Sequence, residues 1–122
     1  MPNKEIINAV IEMNVIKEIS KDKYIWTFCS FDDSQKYKLV FVTFTEIQFL
    51  TATQKCHNCM SVFTEGLMDG SCIEQITEED DRFITSCQNL LLLKDESIYY
   101  GTTDYSSMFY NLTTHIFRKG RS

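Results

Sequence analysis

Apolar and polar residues recur with a short period along most of this chain, and only the first stretch departs from it. Ile6, Ile7, Val10, Ile11 and Met13 fall at helical spacing behind Asn3, a residue suited to capping a helix. Glu5 lies in the first turn, where the positive end of the helix dipole favours a carboxylate. The pattern predicts a helix ending near Met13 or Asn14. From Val15 the reading changes to strands. Residues 15–19 and 24–31 are separated by a Lys21-Asp22-Lys23 turn, and alternation puts Trp26 and Phe28 on one face. Asp32-Asp33-Ser34-Gln35 is a turn by composition. Residues 37–50, rich in Val, Phe, Thr and Ile, read as a strand long enough to bend or break once.

The second half is less regular. Residues 51–60 are polar and cysteine-bearing, residues 61–64 fit a short strand, and Gly66 and Gly70 bracket Leu67-Met68-Asp69 as a loop. Residues 71–76 read as a strand running into the acidic block Glu78-Glu79-Asp80-Asp81. Residues 83–93 then lead through the polar Lys94-Asp95-Glu96-Ser97 turn into Ile98-Tyr99-Tyr100 as a hairpin. Residues 106–117 fit a strand through Met108, Tyr110, Leu112, Thr114 and Ile116, or a helix through Met108, Leu112 and His115; their threonines and aromatics tip the reading to a strand. The expectation is a single α+β domain over residues 1–122, an N-terminal helix followed by a mostly antiparallel β-sheet or small sandwich.

Composition narrows the functional classes. A chain of 122 residues buries roughly two-thirds of its unfolded surface, enough for a core without disulfide or metal staples. A formal charge of −5 argues against nucleic acid, whose phosphates need a basic surface. Lys4, Glu5, Glu12, Lys17 and Glu18 interrupt the apolar residues of the N-terminus, unlike a signal peptide, and no uninterrupted apolar run is longer than that of residues 90–93. No membrane association is expected. Cys29, Cys56, Cys59, Cys72 and Cys87 are odd in number, which fits free thiols in a reducing cytoplasm and leaves the Asn111-Leu112-Thr113 sequon idle.

Few residues group into a reactive pattern. Cys56-His57-Asn58-Cys59 has redox or zinc spacing, but no strand-to-helix context supports a low-pKa thiol. Cys72 and Cys87 do not form the second close pair that structural zinc sites use. The expected metal and cofactor complement is therefore none. His57 and His115 are the available imidazoles, neither beside a nucleophile motif, and adjacent Asp32 and Asp33 read as a solvated turn, so catalysis is not expected. Trp26, Phe28, Phe41, Phe44 and Phe49 are read as core, with a ligand-lined cavity as the alternative.

Charge is the uneven feature. Residues 1–60 are neutral overall, residues 61–110 carry −8, and the last twelve carry +3. Such a concentration steers a basic protein into contact, although a solvated loop is the plain alternative. The candidate partner-binding residues are Asp69, Glu74, Glu78, Glu79, Asp80, Asp81 and Asp104, with Tyr99, Tyr100 and Tyr105 as anchors that combine apolar area with a hydrogen-bonding end.

The leading helix, Tyr24-Ile25-Trp26-Thr27-Phe28, the Asp32-Asp33 turn, the Tyr37-Lys38-Leu39-Val40-Phe41-Val42 strand and a late hairpin at residues 90–100 together resemble bacterial immunity proteins against polymorphic toxins, including those of contact-dependent growth inhibition. The resemblance implies a cytoplasmic, non-catalytic protein that neutralises a cognate toxin domain, often a nuclease, by tight stoichiometric occlusion. A small β-rich ligand- or zinc-binding module and an accessory subunit of a larger complex are the alternatives.

Overall fold

The computed structural model describes residues 2–55, 73–93 and 97–99, together with Leu112, Thr114 and His115. Helix α1 (Pro2–Val10) is followed by β1 (Asn14–Ser20), β2 (Lys23–Phe31) and β3 (Tyr37–Phe44), then helix α2 (Glu46–Lys55), β4 (Ile73–Thr77), helix α3 (Arg82–Leu91) and β5 (Ser97–Tyr99). The strands form one sheet in the order β4-β3-β2-β1-β5, every neighbouring pair antiparallel. The α+β class is as expected, and of its two alternatives the described strands form the antiparallel sheet, with helices packed on both faces.

Register turns the alternation into two cores. Ile16, Trp26, Val42 and Ile73 lie in one cross-strand row, and Phe28 and Val40 pair in the next. With Tyr24, Phe44, Phe49 and Ala52 of α2, and Leu112, these residues build the first cluster. Its rings interlock: Trp26 and Phe28 have centroids 4.5 Å apart, and Tyr24 and Phe44 stack at 5.5 Å. The residues of opposite parity, Val15, Leu39 and Ile76, meet Val10 of α1 and Phe83, Cys87 and Leu90 of α3 in a second cluster on the other face. Of the five aromatics weighed as a cavity lining, Phe41 packs against this second cluster and the other four fill the first.

Several local expectations are corrected. Helix α1 ends at Val10, and Asn3 lies inside it because the helix already begins at Pro2, whose missing N–H costs nothing in a first turn. The strand expected over residues 37–50 stops at Phe44. There Thr45 and Gln48 form a reciprocal capping box, the Thr45 N–H reaching Gln48 Oε1 at 2.7 Å and the Gln48 N–H reaching Thr45 Oγ1 at 3.2 Å. The Asp22 carboxylate accepts a third amide, that of Glu46, at 2.8 Å.

Residues 83–93 are largely helical, not a strand. Phe83, Cys87 and Leu90 recur at four- and three-residue spacing and are the buried face of α3. The hairpin expected at residues 90–100 is therefore absent, and β5 adds to β1 through Val15–Tyr99, Ile16–Ile98 and Lys17–Ser97. In the tail, Leu112, Thr114 and His115 are helical, and Leu112 is sealed in the first cluster. Residues 56–72, with Cys56, Cys59 and Cys72, lie outside the described residues.

Trp26 has no exposed surface, whereas Ile47 on the outer side of α2 is 74% exposed. Replacing Trp26 with Ala should lower unfolding free energy by about 3–5 kcal/mol, through lost transfer energy and the cavity left behind. Ile47→Ala should change it by no more than about 0.5 kcal/mol. Urea denaturation followed by far-UV circular dichroism checks both.

Candidate partner-binding surface

Two turns meet at one end of the sheet. The β2–β3 turn is held by Asp32, whose Oδ1 accepts the Ser34 and Lys36 amides at 2.8 and 3.0 Å while its carbonyl accepts the Gln35 N–H at 3.0 Å. Gln35 takes a left-handed backbone, φ 63°, to complete it. The β4–α3 turn lies alongside because the Glu78 amide donates to the Tyr37 carbonyl at 3.0 Å, one step beyond the β3–β4 ladder. Asp32, Asp33, Glu78, Glu79, Asp80 and Asp81 are thereby collected from two separate stretches of chain.

Two cations neutralise part of this collection. Arg82 binds Glu74 through Nη1 at 3.0 Å and Asp80 through Nη2 at 3.2 Å and Nε at 3.3 Å. Asp80 also accepts the Arg82 amide at 2.8 Å, an Asx-type turn that satisfies the first N–H of α3, whose N-cap position is Asp81. These hydrogen bonds hold the Asp80 carboxyl below the usual carboxylate range and raise the Arg82 guanidinium above its own. Lys36 is bound through Nζ to Glu79 Oε1, and that contact, with the fields of Asp32 and Glu78, raises its pKa. Glu78 and Asp81 are exposed, and among the described residues neither side chain is tied into these bridges.

The sequence-derived surface is brought together only in part. Glu74, Glu78, Glu79, Asp80 and Asp81 share the β4 side of the sheet. Tyr99 sits in β5, on the opposite edge, four strand spacings or about 19 Å away. Asp69, Tyr100, Asp104 and Tyr105 lie outside the described residues. Sequence reasoning left out Asp32 and Asp33, set aside as a plain turn, and the aromatic pair Phe31 and Tyr37. These two rings close the β2–β3 ladder with centroids 4.8 Å apart, and Phe31 is 52% exposed. The signal available was their position on either side of the turn.

A second polar group lies on the first-cluster face. The buried Tyr24 hydroxyl donates to Glu46 Oε1 at 3.1 Å, and His115 Nε2 lies 3.9 Å from Glu18 Oε2. Burial, reinforced by Glu18 and Glu46, raises the Tyr24 phenol well above its ordinary value. In the second cluster, burial pushes the Cys29 and Cys87 thiols up to about 11, which keeps both protonated and weakly nucleophilic at neutral pH. Among the described residues no three His, Cys, Asp or Glu side chains are placed to hold a metal ion. No described helix is long and apolar enough to cross a membrane.

An open groove of about 320 Å³ is lined by Ser20, Lys21, Asp22, Lys23, Thr43, Phe44, Thr45 and Gln48. A smaller one of about 170 Å³ lies between Phe41 and the Ser86, Asn89, Leu90 and Leu93 side of α3. Comparison of the chain with protein-family models, with characterised proteins and with solved structures finds no match.

The Tyr24 shift has a definite sign. Below pH 10, the ordinary tyrosine value, the phenol is neutral whether the chain is folded or not, and its hydrogen bond contributes in full. Above it the unfolded chain releases this proton and the folded chain does not, so stability falls as pH rises. Tyrosinate absorbance should show the Tyr24 phenol ionising only as the fold is lost. That lagging step should be missing in Tyr24→Phe.

Proposed function

We propose that this chain is a cytoplasmic, non-catalytic binding protein of the immunity type, which occludes a basic toxin domain by stoichiometric contact at the acidic end of its sheet. The observation that supports the reading best is the convergence of the β2–β3 and β4–α3 turns. Carboxylates from two distant stretches are held on a backbone fixed by the Asp32 turn and the Glu78–Tyr37 bond. A rigid surface loses little conformational freedom on binding, and clustered charge of one sign accelerates encounter with the opposite sign.

The bridges rank the carboxylates. Glu74, Glu79 and Asp80 already have cationic partners within the chain, so a basic partner gains less from them. Glu78 and Asp81 have the stronger claim to contact it. Arg82 and Lys36 serve as internal clamps that limit repulsion among the turns and fix their mutual position.

Calorimetric titration with a catalytically inactive form of any toxin domain encoded beside this chain tests the proposal. Tight one-to-one binding that weakens between low and high salt is expected. Glu78→Gln with Asp81→Asn should slow association more than Glu79→Gln with Asp80→Asn. Absence of a complex would overturn the immunity reading, and equal effects of the two double variants would overturn the ranking of the carboxylates.

A further inference from the structure

We propose that the Phe31–Tyr37 ring pair, flanked by Asp33 and Glu78, is the docking point for an arginine side chain of the basic partner. The inference rests on the proposed function and names the chemistry of its contact. Phe31 is the last residue of β2 and pairs across the ladder with Tyr37, the first of β3. The rings are tilted by 43° with centroids 4.8 Å apart, which leaves Phe31 half exposed while Tyr37 packs back against the second cluster. One ring is thus anchored and the other presented.

The surroundings select the occupant. Asp33 is exposed in the turn that follows Phe31, and the bond from the Glu78 amide to the Tyr37 carbonyl brings a second exposed acidic residue alongside the pair. An aliphatic partner residue would cover the ring but strip water from the carboxylates without replacing its hydrogen bonds. Lysine would meet the charge, but its compact ammonium is strongly hydrated and has no flat face. A guanidinium does both: its weakly hydrated plane stacks on the ring while its N–H groups reach the carboxylates. The charge at this end of the sheet complements that occupant and disfavours a second copy of the same acidic chain.

The test is a nuclear magnetic resonance titration of the isotopically labelled full chain with N-acetyl-arginine methylamide, and separately with the lysine analogue. Saturable shifts confined to the amides of residues 31–37 and 77–79, larger with arginine, are expected. Phe31→Ala should weaken arginine binding about two- to fivefold. Because Phe31 is half exposed, this variant should keep the remaining amide spectrum, which verifies its fold in the same experiment. Shifts scattered over the surface, equal responses to the two probes, or undiminished binding by Phe31→Ala would overturn the proposal. So would concentration-dependent shifts at these amides without any probe, which would make a second copy the occupant. Arginine binding here combined with no complex with the toxin domain would leave the docking point standing and remove the immunity reading.

Discussion

The β2–β3 hairpin is buried on both faces, and the remaining features follow from that constraint. Trp26 and Val42 look into one cluster, and Leu39, two residues before Phe41 on β3, looks into the other. A strand covered on both sides has little room for ionised groups, because an unpaired charge in either core would cost several kcal/mol. Ionised side chains are therefore displaced to strand ends, edges and the outer sides of helices. The ends of this hairpin are where backbone hydrogen bonding passes from ladder to turn, and Asp32 and Asp22 each satisfy amides there. Core packing and charge placement are two results of one arrangement.

That displacement gives the acidic end its character. The charge of residues 74–82 is not a uniform cloud, because Lys36 and Arg82 draw Glu74, Glu79 and Asp80 into exposed bridges and leave Glu78 and Asp81 outside them. Exposed bridges contribute little to stability. Their consequence is positional: Arg82 ties β4 to the start of α3, and Lys36 ties the β2–β3 turn to the β4–α3 turn. The proposed contact combines this fixed frame with one presented ring, a pairing of aromatic area and charge that interfaces use at their energetic centres.

Much of the fold was legible in the sequence. Alternation located β1, β2 and the start of β3, and Asp32-Asp33-Ser34-Gln35 announced its turn. The failures share a cause: local pattern is ambiguous where apolar residues are dense. The four consecutive leucines at 90–93 hid the Phe83, Cys87 and Leu90 periodicity of α3, and the β-branched run into Ile47 hid the Thr45–Gln48 capping box. The candidate surface was less legible because it depends on register. Nothing in the sequence spacing places Glu78 beside Tyr37, or separates Tyr99 from the acidic turns by the width of the sheet.

The proposed contact sets one end of the sheet, and not its β5 edge, against a basic protein. Amide hydrogen exchange of the chain alone and in complex with the inactive toxin domain tests this most directly, because it maps contact without altering any residue. Added protection is expected across residues 31–37 and 77–82, with Ser97–Tyr99 unchanged. Protection concentrated at Ser97–Tyr99, with the two acidic turns exchanging as in the free chain, would contradict it.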